Sequence, residues 1–369
     1  MSMKKIVKLM IPALAVLFIA PLVMQGCQMN TLADDSMVQP SDWSESVAAT
    51  SAWVMAGIGT SQTPDGNELL NSSALHLAYS EDGLTWTALN NNSAVFIPTI
   101  GNGYIRDPYI FRKNDGTFVL LAANFTNAGS YSYWGSPSRY IYVAYSDDLV
   151  TWTGEHLLQV TNGYGLGGTV RHAWSPRAIY NKNDRCYDIY WVGNDIDGMN
   201  HVYVTETYNF ETVHDLEPHI LYDPGFSVTG AYIVAEGSKH YLFARNADID
   251  FASGTGGDIQ TASIDSYRDG TFSLISNTYI NRREQNIPVY TETPCVYQLE
   301  DGVTWVMITS IVNDSGAYAC FETTNISDCS SWKDISSTMT FFSSDQKTIA
   351  ATVTRITESE LNTLKLASF

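Results

Sequence analysis

Short apolar runs separated by acidic, asparagine or glycine turns follow one another along this chain, and their pattern reads as strand rather than helix. Pro108-Tyr109-Ile110-Phe111 leads to Phe118-Val119-Leu120-Leu121 across Asn114-Asp115-Gly116, and Val296-Tyr297 leads to Trp305-Val306-Met307-Ile308 across Asp301-Gly302. Ala178-Ile179-Tyr180 precedes Tyr187-Asp188-Ile189-Tyr190, and Ala231-Tyr232-Ile233-Val234 precedes Tyr241-Leu242-Phe243-Ala244. Each pair predicts a hairpin at the head of a unit. A second pattern closes each unit. Ala78-Tyr79-Ser80-Glu81-Asp82-Gly83-Leu84-Thr85-Trp86 is echoed by Ala144-Tyr145-Ser146-Asp147-Asp148-Leu149-Val150-Thr151-Trp152, more loosely at Thr205–Phe210 and Phe321–Ile326, and weakly at Ala262–Tyr267. Within this pattern Tyr79, Tyr145, Glu206, Ser263 and Glu322 are spaced by 66, 61, 57 and 59 residues.

A repeat of that length holding about four short strands is a propeller blade. Four units are complete, and the fifth is split between the chain ends. Ala52-Trp53-Val54-Met55, Leu75-His76-Leu77-Ala78 and Trp86-Thr87-Ala88-Leu89 give three strands without an inner one, while Ile349–Thr354 is a lone strand near the C-terminus. The fold predicted is therefore all-β, a five-bladed β-propeller whose fifth blade is closed by the C-terminal strand. Closure in this way removes an open sheet edge. A β-sandwich accounts for neither the period nor the split unit.

Ahead of the repeats, Lys4, Lys5 and Lys8 precede an apolar run from Leu9 to Met24, the pattern of a secretory signal. Val23-Met24-Gln25-Gly26-Cys27 looks like a bacterial lipoprotein processing site with Cys27 as the lipidated residue. The expected organisation is a signal peptide over 1–26, a polar tether over 27–46 and a single propeller domain over 47–369. The expected location is the cell envelope after export, with the only membrane attachment through a lipid at Cys27.

Without the signal, 17 basic residues face 39 acidic ones, a net charge of −22 that repels phosphate backbones and speaks against nucleic acid as a partner. Aromatic residues make up 12 % of the chain, which suits both an all-β core and surfaces for stacking sugars. Cys320 and Cys329 lie close enough in sequence to bridge in an oxidising compartment, whereas Cys186 and Cys295 sit in apolar strands as buried thiols. No cysteine pair has the short spacing of a zinc site, so no cofactor and no metal are expected. Asn194-Asp195-Ile196-Asp197-Gly198 has an acidic turn spacing but not a full calcium loop.

Several short motifs fall in a fixed order on these units: Leu75-His76-Leu77-Ala78-Tyr79-Ser80, Arg106-Asp107-Pro108-Tyr109-Ile110-Phe111-Arg112, Ala173-Trp174-Ser175-Pro176, Asp223-Pro224-Gly225-Phe226-Ser227-Val228 and Glu292-Thr293-Pro294. Together, over about residues 50 to 357, they resemble glycoside hydrolase family 43. The resemblance implies an inverting hydrolase of poly- or oligosaccharides, with Asp107 matching the general base and Glu292 the general acid. Inverting hydrolysis needs one carboxylate to deprotonate water on one side of the sugar while another protonates the leaving oxygen on the other. An Asp before Pro is also a common turn residue, and a Glu at a strand mouth is also a common solvated one.

The third carboxylate of the family, an Asp that tunes and orients the acid, has no counterpart. Thr229-Gly230-Ala231 stands where the resemblance implies Ile-Asp-Ala, so Gly230 occupies the place of the tuning residue. Arg177 follows Trp174-Ser175-Pro176 where an acidic residue is frequent, and the closing strand has Ala350 or Ala351 in place of a His. Arg171, His172 and Arg177 are candidate contacts to a substrate, including a negatively charged sugar; Trp174 and Trp134 are candidate stacking walls, and Tyr104 a candidate lining of the mouth. Two functions follow: a glycosidase, or a carbohydrate-binding propeller lipoprotein that has lost turnover. Gly230 favours the second.

Overall fold

A computed structural model describes residues 51–59, 73–101, 104–124, 138–162, 172–194, 198–248, 259–264, 271–275, 280, 282–284, 287–311, 317–342 and 348–369. All of them lie in Val38–Phe369, the larger of two compact units. The signal, the tether with Cys27, Trp134, Arg171 and the centre of the acidic turn at 195–197 lie outside the described residues. Among the described residues no helix is long and apolar enough to cross a membrane.

Five four-stranded antiparallel sheets form the blades. The chain enters the fifth blade first, through β1 (Ser51–Gly59), β2 (His76–Ser80) and β3 (Thr87–Ala88). Blade I is β4 (Ile105–Arg112), β5 (Phe118–Asn124), β6 (Tyr140–Ser146) and β7 (Thr153–Gln159). Blade II is β8 (Trp174–Asn181), β9 (Cys186–Asn194), β10 (Asn200–Thr207) and β11 (His219–Tyr222). Blade III is β12 (Val228–Glu236), β13 (Lys239–Asn246), β14 (Ile259–Ile264) and β15 (Ser273–Leu274). A short hairpin, β16 (Arg282–Glu284) and β17 (Ile287–Val289), precedes blade IV: β18 (Thr291–Gln298), β19 (Trp305–Ile311), β20 (Tyr318–Thr323) and β21 (Lys333–Asp334). The last strand, β22 (Thr348–Thr357), pairs antiparallel with β1, aligning Trp53 with Arg355 and Val54 with Thr354, and so closes blade V as expected. The inner strands β4, β8, β12, β18 and β22 neighbour one another in a ring.

The core lies in the wedges between blades. In β5, Phe118, Leu120 and Ala122 pack toward blade V while Val119 and Leu121 pack toward blade II. In β9, Ile189 and Trp191 face blade I, and Tyr190 and Val192 face blade III. Alternate side chains of a strand point to opposite faces, so a strand buried on both faces must be apolar at successive positions. That explains the unbroken run Phe118-Val119-Leu120-Leu121-Ala122-Ala123, all of it buried.

The recurring acidic segment is a side-chain-built turn. Ser80 Oγ accepts a hydrogen bond from the Gly83 N–H, and Asp82 Oδ1 accepts from the Leu84 and Thr85 N–H groups. Ser146 and Asp148 repeat this with Leu149, Val150 and Thr151, and Thr207 and Asn209 repeat it with Phe210, Glu211 and Thr212. The residue after the Asp or Asn is left-handed in each case, at φ 76° for Gly83, 64° for Leu149 and 62° for Phe210. Ser, Thr, Asn and Asp recur there because their oxygens take up the backbone donors that a tight reversal leaves unpaired.

One expectation is corrected. Cys320 and Cys329 are separate buried thiols, not a disulfide. Each lies in the apolar interior of blade IV, where a free thiol packs as a small hydrophobe. The chain also ends in a helix that strand patterning did not indicate, α1 (Glu358–Leu366), capped by Thr357 with Glu360 in a capping box. Its Leu361 and Leu364 pack into the wedge between blades V and I.

Candidate active site

Each inner strand carries a two-residue bulge at the same register. The pairing slips between Arg106 and Tyr109, Trp174 and Arg177, Thr229 and Tyr232, and Glu292 and Cys295, and between Ala56 and Ile58 on the strand facing β22. The first residue of every bulge is left-handed: Asp107 (φ 50°), Ser175 (47°), Gly230 (61°), Thr293 (50°) and Ala350 (56°). Bulges re-aim side chains and free a position from the hydrogen-bond ladder. This is why Pro108, Pro176 and Pro294 are tolerated immediately after three of them.

These five positions ring the axis at one end of the propeller, and they organise the site. Asp107 is half-buried, and its Oδ2 accepts hydrogen bonds from the Ser175 Oγ–H (2.7 Å) and the Ser175 N–H (3.2 Å). The carboxylate is thereby tied to the next blade through one oxygen. Glu292, one residue before its bulge, is also half-buried; its Oε2 accepts from Arg245 Nη1 at 3.0 Å. Arg245 is 5 % exposed and stands on β13 opposite Thr229, the residue before Gly230. Ser310 Oγ accepts from both the Thr293 Oγ–H and the Ala350 N–H, joining blades IV and V, and the Thr352 Oγ–H donates to the Pro108 carbonyl, joining V and I.

Gly230 is held in place by packing. A Cβ there would lie 2.7 Å from the Thr293 nitrogen and 2.8 Å from its Cα. Side chains do not approach backbone that closely, so no other residue fits between β12 and β18 without moving one of them.

Of the remaining candidates, His172 and Trp174 form a stacked pair, with ring centroids 4.0 Å apart and planes 17° apart; the histidine is buried and the tryptophan half-buried. Tyr104 is half-buried on the segment leading into β4. Arg177 departs from the expectation of a substrate contact. It is fully buried below the bulges, donating from Nη1 to the Asp107 and Pro176 carbonyls and lying against the rings of Tyr109 (5.3 Å) and Tyr232 (5.7 Å). A guanidinium is hydrated weakly enough to be enclosed by aromatic faces. Beside it, burial holds the Cys295 thiol up at about 11 in spite of the cation.

Sequence reasoning passed over Ser175 and Arg245. Arg245 had a signal, as a lone cation ending the apolar strand Tyr241-Leu242-Phe243-Ala244. Ser175 had none, because its role depends on the bulge.

Among solved structures, a xylan β-1,4-xylosidase from Bacillus halodurans is similar at 12 % identity over 74 % of this chain and 51 % of its own, with a TM-score of 0.52. A family 43 glycoside hydrolase from Bacillus licheniformis is similar at 12 % identity over 80 % of this chain and 54 % of its own, with a TM-score of 0.50. The chain thus spans about half the length of each, and at this identity the likeness shows the fold. An α-L-arabinofuranosidase from Lactobacillus brevis is similar at 16 % identity over 62 % of this chain and 72 % of its own, with a TM-score of 0.46. A search of curated proteins finds no match. The model of a family related to glycoside hydrolase family 43, described as a probable glycosyl hydrolase domain, matches residues 65–362, and the chain belongs to that family.

Proposed function

We propose that this member of the glycoside hydrolases cleaves glycosidic bonds of a poly- or oligosaccharide by inversion, with Asp107 activating water and Glu292 protonating the leaving oxygen. The observation that supports it most is the placement of both carboxylates at equivalent bulges on β4 and β18. These strands flank β22, whose bulge carries only the small side chains of Ala350 and Ala351. Ser175 occupies one oxygen of Asp107 and leaves Oδ1 to accept a proton from water. Trp174, backed by His172, offers an aromatic face to a sugar ring.

A second reading is a carbohydrate-binding propeller without turnover. It is favoured by Gly230, whose site is filled by the Thr293 backbone, and by Arg245, a cation bonded to Glu292. Export, with Cys27 lipidated and the propeller held at the cell envelope, belongs to both readings and rests on the sequence pattern at 1–27.

The deciding experiment is sugar release by the folded protein from a panel of aryl glycosides and plant polysaccharides, beside Asp107→Ala. Loss of a general base costs roughly 10²–10⁴-fold, so release that vanishes in the variant supports the hydrolase. Glycan binding without release by either protein supports the second reading.

A further inference from the structure

At the end of blade II opposite the bulges, three side chains converge that the axial chemistry does not use. Asn181, paired with Cys186, lies six residues along β8 from Ser175, roughly 20 Å of strand. Asp188 follows two residues along β9 and therefore shares a face with Cys186, and Glu206 on β10 lies directly opposite Asp188. The thiol sulfur and one oxygen of each carboxylate are all within 4.8 Å of one another.

Among the described residues a single side-chain hydrogen bond is all that compensates the carboxylate of Asp188. Asp188 is 3 % exposed, and its only described hydrogen bond is from Asn181 Nδ2, at 3.2 Å. Among the described residues neither Asp188 nor Glu206 forms an ion pair, and Asp184 adds a further negative charge nearby. Like charges directly opposite on a sheet are destabilising, and buried charges in folded proteins are paired or bind metal. The second observation is Cys186 itself. Its thiol is fully buried, forms no hydrogen bond among the described residues, and has its sulfur within 4.8 Å of an oxygen of each carboxylate.

We propose that Cys186, Asp188 and Glu206 bind one divalent cation of the zinc class. One sulfur and two oxygen donors suit a borderline-soft ion better than calcium or magnesium, which take oxygen alone. Three protein ligands with water in the fourth position is an ordinary zinc coordination. Ligands of such a site lie about 3.5 Å apart, which small side-chain rotations from the present spacing reach. Binding exchanges protons for the ion: the Cys186 S–H proton, and the proton on Asp188 where it is held, leave to solvent as the M–S and M–O bonds form. The cation ties β9 to β10 where two carboxylates otherwise repel.

The test is titration of chelator-treated full-length protein with Co²⁺, reading the near-ultraviolet thiolate-to-cobalt absorption, followed by displacement with Zn²⁺ and thermal melting with and without Zn²⁺. The expected result is a band saturating at one Co²⁺ per chain, abolished by Zn²⁺, absent in Cys186→Ser and at least tenfold weaker in affinity in Glu206→Gln, together with a Tm raised by Zn²⁺ only when Cys186 is present. Should Cys186→Ser not fold, the stoichiometry of the parent and the weakening in Glu206→Gln decide. No band, a band unchanged in either variant, or stabilisation by Ca²⁺ but not by Co²⁺ or Zn²⁺ overturns the proposal and leaves Asp188 and Glu206 as a pair relieved by protonation.

Discussion

Arg245 Nη1 reaches Glu292 Oε2 at 3.0 Å from the strand position beside Gly230, so the acid proposed for the leaving group is oriented by a cation and not by a carboxylate. A fixed guanidinium restricts the rotamer of Glu292 and sets where its second oxygen points. Arg245→Met therefore lowers kcat by about 10- to 100-fold through misplacement of the reacting group, with KM little changed, and Arg245→Lys recovers part of the loss. Steady-state kinetics on an aryl glycoside checks this; equal losses for Lys and Met would make the planar fork, and not the charge, the relevant property.

Glu292 can be tested through the leaving group. A protonated acid matters most when the departing oxygen is strongly basic. Glu292→Gln is expected to slow alkyl glycosides by about 10²–10⁴-fold and dinitrophenyl glycosides far less. A uniform loss across both classes would assign Glu292 to binding.

Restoring the family's carboxylate is expected to fail. Gly230→Asp places a Cβ against the Thr293 backbone, an overpacking of about 1–3 kcal/mol, and Gly230→Ala suffers the same contact. Both should lower the Tm by several degrees, on the order of 2–4 °C per kcal/mol in a domain of this size, and neither should raise activity. A fully stable Gly230→Asp with increased turnover would show that β12 and β18 can part.

The blades were legible because their signals are local. A strand buried on both faces is apolar at successive positions, as in Phe118–Ala123, and a reversal built from Ser80 and Asp82 repeats as Ser146 and Asp148. Asp107, directly before a proline, and Glu292, two residues before one, stood out in the sequence as candidates. Their surroundings were not, since Ser175, Arg245 and Thr293 come from other strands or blades and meet them only once the ring has closed. Arg177 misled for the same reason. A charged residue in a motif suggests an exposed contact, and only the packing of Tyr109 and Tyr232 shows that it is enclosed.

Truncation after Ser343 removes β22, the inner strand of blade V, with its full antiparallel ladder to β1 and its contacts to β4 and β18. An inner strand supplies both a sheet edge and part of two wedges, so the ring is expected to open rather than fray. Loss of the cooperative thermal transition, with aggregation through the exposed β1 edge, is the outcome to look for by calorimetry and light scattering. A truncated chain that melts cooperatively near the parent's Tm would mean that the other four blades are self-sufficient.

The final prediction concerns the latch between α1 and blade I. Arg112 on β4 grips Glu360 through two parallel hydrogen bonds, Nη1 to Oε1 at 2.6 Å and Nη2 to Oε2 at 2.5 Å, with both side chains largely buried. Burial raises the Glu360 carboxyl, but the hydrogen bonds from Arg112 and the Thr357 N–H outweigh it and leave it below the ordinary glutamate value. A group whose folded-state pKa is depressed contributes stability above its unfolded pKa and loses it as pH falls through the folded value. Glu360→Gln should therefore cost about 1–3 kcal/mol near neutral pH, and the difference from the parent should shrink as pH drops below about 4. Denaturant melts at pH 7 and pH 3 check it. A difference that persists unchanged at pH 3 would place the stabilisation in packing of the helix, with the carboxylate's charge playing no part.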